Sequence, residues 1–287
     1  MEENSSTIIL FYKFTKIKNP EAFKIKQRKL AQAFNLKGRM LIAKEGINAT
    51  LEGLTKDIKG YIKAFKAQRA FGGVVFKQSE GNGKGFTKLM VKVRPEVVTL
   101  GVGELDIKKD TAPVVTANQL DKMYDKKEDF VVLDLRNNFE VQAGYFENTV
   151  NPKLRYFREL PEKMGELEHL KDKKVVAVCT GGIRCEKATV LLKKEGFKNI
   201  YQLKDGIHTY IKKFPGKRFR GSLFVFDNRM VTPVADSENR EVVGKCFDCG
   251  VSCEEFYNDD SVRPSRKTLC CDKCITRHSK LRKCAPL

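Results

Sequence analysis

The sequence predicts an α/β protein in three parts. These are a βαββαβ domain, a parallel α/β domain and a small cysteine-rich module. Three observations predict it. Short apolar runs alternate with amphipathic helical stretches from about residue 8 to residue 214. After residue 113 the strand candidates become continuous apolar runs, the mark of a parallel sheet covered on both faces. Seven of the nine cysteines crowd into residues 246–284. The chain has 287 residues, too long for one ordinary domain, and 41% are apolar, enough to bury real cores.

The first domain is expected over residues 1–97. Ile8–Phe14 reads as a strand. Asn19-Pro20-Glu21 is a helix start, with Asn at the cap and Pro in the first turn, and residues 20–35 follow as a basic amphipathic helix. Gly38–Leu51 alternates as a strand broken at Lys44-Glu45-Gly46. Thr55 opens a second helix to about Arg69. Val74–Phe76 and Lys88–Val93 complete the strands, on either side of a flexible glycine segment, Gly81–Gly85. This order is the ferredoxin-like pattern.

Residues 98–112 read as a linker. The second domain, residues 113–220, opens with a helix over Ala117–Asp125 and a buried strand over Phe130–Leu135. Residues 157–170 are expected to be helical, Lys173–Val178 a buried strand, residues 185–195 a helix stopped by Gly196, Asn199–Leu203 a strand and Gly206–Phe214 a last helix. Residues 221–287 lack long periodic runs and read as the cysteine-rich module.

The strongest motif is strand, then Cys179-Thr180-Gly181-Gly182-Ile183-Arg184, then helix. Ligand sites in parallel sheets lie at the carboxyl ends of strands. A glycine-rich turn there can aim backbone N–H groups inward as an anion nest, and the next helix adds its positive N-terminal end. With Arg184, these features favour the Cys179 thiolate. Cysteine phosphatases use a longer C-x5-R loop. The C-x4-R spacing here suits a single extra sulfur better and disfavours phosphatase activity. Cys185, in the first helical turn, is placed to resolve an oxidised Cys179 as a disulfide. Asp134 and Arg136 are expected to brace the loop from an adjacent strand end.

Net charge is +19, and its distribution is uneven. Residues 1–97 hold 20 Lys and Arg against 8 Asp and Glu, a net of +12. An excess of that kind attracts polyanions, nucleic acid first. Arg39, Lys44, Asn48 and Arg94 are the candidate RNA contacts. Phe139, Tyr145 and Tyr156 are candidates to stack on an unstacked base. No run reaches the ~18 apolar residues of a membrane span. The start, Met1-Glu2-Glu3-Asn4, lacks the basic character of a signal peptide, so a cytoplasmic location is expected. Odd cysteine number without a secretory signal argues against a disulfide framework.

Cys246-x2-Cys249 and Cys271-x2-Cys274, about twenty residues apart, have the spacing of a tetrahedral zinc site. Cys253, Cys270 and His278 are substitutes or ligands of a second site. Zinc would fold a segment too short and polar to fold alone; reduced thiols or disulfides are the alternative. No organic cofactor is evident.

Several stretches resemble a known family. Leu133-Asp134-Leu135-Arg136-Asn137 with Glu140, Phe157–Pro161, the loop from Cys179 to Ala188 and Lys204–Ile207 are similar to rhodanese motifs. Ala43-Lys44-Glu45-Gly46-Ile47-Asn48-Ala49-Thr50, Val97–Gly101 and Phe226-Asp227-Asn228-Arg229-Met230 add a more specific signature. Together, from about residue 8 to 275, they resemble the oxygen-dependent tRNA uridine hydroxylases. The resemblance implies a rhodanese-like central fold and hydroxylation of wobble uridine 34 to 5-hydroxyuridine. It implies molecular oxygen as co-substrate, the tRNA anticodon region as partner, and Cys179 and Cys185 as the family's loop cysteines. Persulfide transfer by Cys179 and a non-catalytic tRNA-binding adaptor are the competing functions.

Overall fold

The computed structural model describes residues 5–234 and 240–284. Met1–Asn4, read above as an acidic start, lie outside the described residues. The chain divides into two compact units. One holds residues 5–99 with Phe226–Arg229; the other holds residues 100–225 and the described residues from Met230 onward.

The first unit is built from β1 (Ser6–Phe14), α1 (Pro20–Ala33), β2 (Lys37–Ala43), β3 (Gly46–Leu54), α2 (Thr55–Lys66), β4 (Lys77–Gly81) and β5 (Leu89–Val93). Asn19 caps α1, its side-chain oxygen accepting the Ala22 N–H at 3.0 Å. The sheet order is β4-β1-β3-β2-β5. One sheet face (Ile9, Phe11, Met40, Ile42, Ala49, Leu51) packs on Ala31 of α1 and Ile58, Tyr61 and Phe65 of α2, forming the core.

Two details differ from the sequence expectation. The strand expected at Val74–Phe76 begins at Lys77, where pairing with Leu10 of β1 starts; Val74 closes a turn onto Phe71 instead. Apolar density pointed to the turn, whereas backbone pairing fixed the strand. The last strand then crosses to the far edge, where β5 runs parallel to β2 as a fifth strand. The intervening glycine segment, expected to be flexible, is tied down. Glu52, 2% exposed, accepts the N–H groups of Gly83 (2.8 Å) and Gly85 (2.7 Å). Asn228 donates its N–H to the Gly85 carbonyl (3.0 Å), and Arg229, paired with Asp227, donates to the Glu80 carbonyl (2.8 Å).

The second unit begins with α3 (Ile107–Asp110), β6 (Val114–Val115), α4 (Ala117–Asp125), β7 (Val131–Asp134), α5 (Asn138–Ala143), β8 (Gly144–Phe146) and β9 (Thr149–Val150). A 3-10 segment over Phe157–Leu170 follows, then β10 (Lys174–Val178), α6 (Ile183–Lys194), β11 (Asn199–Leu203) and α7 (Gly206–Lys213). The stretch 157–170 was expected to be helical and forms the tighter 3-10 turn, with Pro161 inside it withholding a backbone donor. The sheet order is β6-β11-β10-β7-β9, with every pair parallel. Val175–Val178 are fully buried, as their continuous apolar run requires.

The chain then adds β12 (Phe219–Phe224) and β13 (Val231–Pro233), and β12 also pairs with β8. Last come β14 (Phe256–Asp259), β15 (Arg266–Leu269), α8 (Asp272–Ile275) and β16 (Leu281–Lys283), whose strands pair in the order β15-β14-β16. A separate cluster of buried residues unites this region, including Cys246, Cys253, Phe256, Cys270, Cys271 and Cys274. Among the described residues, no helix is long and apolar enough to cross a membrane.

Candidate active site and cysteine cluster

Cys179 follows β10 directly, at the carboxyl edge of the parallel sheet. Gly182 takes φ +97°, open to glycine, and turns the chain so that α6 starts at Ile183. The turn aims donors at the sulfur. The Gly182 N–H reaches Cys179 Sγ at 3.2 Å, and the N–H groups of Arg184 and Cys185 also point to it. Cys179 is fully buried, and burial alone would raise its thiol. The Cys185 thiol, the Arg184 charge and the backbone donors outweigh burial and bring it down to about 6. Burial pushes the neighbouring Cys185 thiol the other way, well above the ordinary range, and the charge on Cys179 adds to this. The surroundings therefore favour the thiolate on Cys179 and the thiol on Cys185.

Two buried ion pairs frame the loop. Arg136 binds Asp134 through Nε (2.9 Å) and Nη2 (2.6 Å), with both side chains fully buried. Arg136 also donates to the Gly144 carbonyl at 2.7 Å. Arg184 is held by Glu140 in a two-pronged contact at 2.6 and 2.8 Å, and Glu140 accepts the Thr180 hydroxyl at 3.1 Å. Burial would raise the Glu140 carboxyl; Arg184 and Arg136 hold it below the usual range.

The expected loop residues, Cys179 to Cys185, thus come together, with Asp134 and Arg136 at the end of the neighbouring strand. Two participants were not given roles from the sequence. Glu140 stood in the family motif, and a buried Arg184 needs an acid partner, which was the available signal. Gly206 is the second. At φ +74° its missing Cβ leaves room for the loop: a Cβ there would lie 2.7 Å from the Cys179 carbonyl oxygen, Gly181 C and Gly182 N. The N–H groups of Ile207 and His208 bond the carbonyls of Cys179 (2.9 Å) and Thr180 (3.1 Å), so the start of α7 clasps the loop.

The four cysteines expected at a metal site converge. The sulfurs of Cys246, Cys249, Cys271 and Cys274 all lie within 4.8 Å of one another, with Cys249 and Cys271 at 3.6 Å. Four thiolates around zinc at about 2.3 Å place their sulfurs about 3.8 Å apart, so the set fits. Burial raises the Cys246 thiol, but N–H donors of Cys249, Cys271 and Asp248 bring it down to about 6. Cys253 and Cys270 stand outside this set, packed in the core beside it, with burial pushing both thiols up to about 12.

The expected RNA contacts share a domain but not a common state. Arg39, on β2, is half-buried, and its Nε has no hydrogen-bond partner; burial and the neighbouring Arg94 hold its guanidinium below the usual value. Arg94 and Lys44 are exposed. Asn48 donates its side-chain amide to the Val97 carbonyl at 3.2 Å. Of the aromatic candidates, Phe139 packs edge-on against Phe224 at 5.0 Å.

A parallel sheet with a reactive cysteine loop at its carboxyl edge defines a rhodanese-type domain, and the Rhodanese-like domain model matches residues 116–213. The UPF0176 acylphosphatase like domain matches residues 6–97, and the Rhodanase C-terminal model matches residues 220–286. The chain belongs to the tRNA uridine(34) hydroxylase family. It is 38% identical to the tRNA uridine(34) hydroxylase of Onion yellows phytoplasma (strain OY-M), over 92% of this chain and 86% of that protein. It is also 38% identical to that of Bacillus cereus (strain B4264), over 97% of this chain and 87% of that protein. A rhodanese-related protein from Thermoplasma volcanium, solved as a crystal structure, is 30% identical over 36% of this chain and 93% of its own, with a TM-score of 0.30.

Proposed function

We propose that this protein hydroxylates carbon 5 of tRNA uridine 34, with Cys179 as nucleophile and molecular oxygen as co-substrate. The observation that carries the reading is the Cys179 sulfur at the carboxyl edge of the sheet, held by the Gly182 N–H at 3.2 Å with Cys185 and Arg184 beside it, surroundings that favour the thiolate. Carbon 6 of uracil is electrophilic through conjugation to the carbon-4 carbonyl. The Cys179 thiolate adds there, and its electron pair passes to an enolate rich at carbon 5. Dioxygen bonds to carbon 5 and becomes a hydroperoxide. The Cys185 thiol takes the outer oxygen as a sulfenic acid, leaving a hydroxyl on carbon 5. Loss of the carbon-5 proton expels Cys179 and restores the ring double bond. The two cysteines then close a disulfide and release water. One oxygen enters the product and the other leaves as water; two thiols supply the electrons, and an external dithiol restores them. Arg184 and the loop amides stabilise the anionic stages. Because Cys179 is buried, the uracil must leave its stack and displace what covers the loop.

In this reading residues 1–97 are the basic RNA-binding domain, with Arg39, Lys44, Asn48 and Arg94 its first contacts near the anticodon. Residues 98–112 link it to the catalytic domain, 113–220, and 221–287 form a module stabilised by structural zinc on Cys246, Cys249, Cys271 and Cys274. The location is cytoplasmic, where tRNA is modified. The test is nucleoside mass spectrometry of tRNA from cells lacking the protein, complemented with wild type or Cys179→Ala at matched expression. 5-Hydroxyuridine is expected to return with the wild type alone. Its return with both variants would remove Cys179 from the mechanism; its return with neither would return the function to sulfur transfer or binding.

A further inference from the structure

Beyond the cysteine loop, the same sheet edge carries an arrangement of charge that the chemistry above does not use. The sheet is parallel, so every strand delivers its following segment to one edge. Segment 151–158 leaves the carboxyl end of β9, as Cys179 leaves that of β10. Two contacts hold this segment beside the site. The Asn138 N–H donates to the Leu154 carbonyl (2.6 Å), and the Asn151 amide donates to the Asn138 side chain (2.9 Å). Asn138 opens α5, the helix whose Glu140 grips Arg184.

On this rim, two guanidinium groups gather on one ring. Arg155 lies 5.4 Å and Arg158 4.9 Å from the centroid of Tyr156. Both arginines are exposed, while Tyr156 is half-buried between the buried Leu154 and Phe157. The nearest acid in sequence does not neutralise them. Glu159 turns its carboxylate to the backbone N–H groups of Arg155 (2.8 Å) and Tyr156 (3.3 Å). Neither guanidinium forms an ion pair with a carboxylate among the described residues; Arg155 donates only to the Pro264 carbonyl. Two like charges held together without a counter-ion cost energy unless an anion arrives. Guanidinium forks match phosphate oxygens, and two that both lie against one ring, at 5.4 and 4.9 Å from its centroid, are close enough to serve neighbouring phosphates of one strand.

We propose that Arg155 and Arg158, ordered by Tyr156, form a phosphate clamp for the RNA strand that carries the target nucleotide beside the Cys179 loop. This rests on the tRNA hydroxylase reading and assigns the strand contact at the catalytic rim, separate from Arg39 and Arg94. The clamp holds the flanking backbone while the uracil leaves its stack, so its arginines act in binding and not in the chemical step.

The test measures tRNA affinity against salt for the full-length wild type, Arg155→Gln/Arg158→Gln, and Tyr156→Phe. The exposed arginines can change without loss of fold, and thermal unfolding matching that of the wild type verifies this for each variant. The double variant is expected to bind tRNA about tenfold more weakly at moderate salt. Its salt dependence should be shallower by roughly 1.4 in log–log slope, two single-strand phosphate contacts at about 0.7 each. Tyr156→Phe keeps the ring and should bind as the wild type does. Equal affinity and slope in the double variant would overturn the clamp, as would weaker binding with an unchanged slope. Wild-type protein that binds tRNA yet forms no 5-hydroxyuridine would sink the hydroxylase reading alone, and the binding comparison would still decide the clamp. Wild-type protein that binds no tRNA would overturn both.

Discussion

At the scale of single residues, the site depends on a few buried groups whose removal has distinct signatures. Alkylation of Cys179 in the folded protein should rise through about pH 6 rather than 9, read by mass spectrometry after brief exposure to iodoacetamide. Arg184→Gln should move that midpoint upward, since the guanidinium favours the thiolate. Glu140→Gln should lower stability by about 3 kcal/mol, because it leaves a buried Arg184 without its counter-charge; thermal unfolding reads this directly. The Glu140 carboxyl is held below the usual range, so the stability it confers is present at neutral pH and lost only as pH falls through that lowered value. Gly206→Ala should cost about 1–3 kcal/mol or displace the loop, with loss of Cys179 reactivity. That Cys179, Arg184, Cys185, Asp134 and Arg136 lie together was legible in the sequence because residue type and local spacing at two strand ends carry it. The roles of Glu140 and Gly206 were hidden because each acts on residues about 25 to 45 positions away.

At the scale of elements, periodicity located most strands and helices within a few residues. Ala117–Asp125 and Asn199–Leu203 coincide with α4 and β11. Two of the differences share one cause, whereas the 3-10 form of Phe157–Leu170 goes with its own Pro161. The start of β4 and the edge position of β5 are set by partners far along the chain, β1 and β2, and no local pattern encodes a partner. The cysteine cluster was legible because zinc-type spacing is itself local. In the purified protein about one zinc per chain is expected, measured by elemental analysis. Cys249→Ser or a strong chelator should remove it and lower the unfolding temperature of the module, since a structural metal contributes folding free energy outright. Retention of full stability without metal would assign the cluster to reduced thiols.

At the scale of the whole molecule, charge and chain path decide what can be separated from what. The +12 carried by residues 1–97 predicts tRNA binding that weakens steeply with salt. Arg39→Gln/Arg94→Gln should weaken it several-fold while leaving Cys179 alkylation unchanged, measured by filter binding. The Phe226–Arg229 segment adds a consequence for dissection. Its backbone and side chains close over the Gly81–Gly85 loop, so the first compact unit is assembled from two stretches separated by more than a hundred residues. A gene fragment ending near residue 97 therefore carries the sheet but not its clasp. In such a fragment the Gly85 carbonyl and the Glu80 carbonyl lose their partners. Limited proteolysis should nick it between β4 and β5, where the intact chain resists, and supplying residues 221–234 as a separate peptide should restore the resistance.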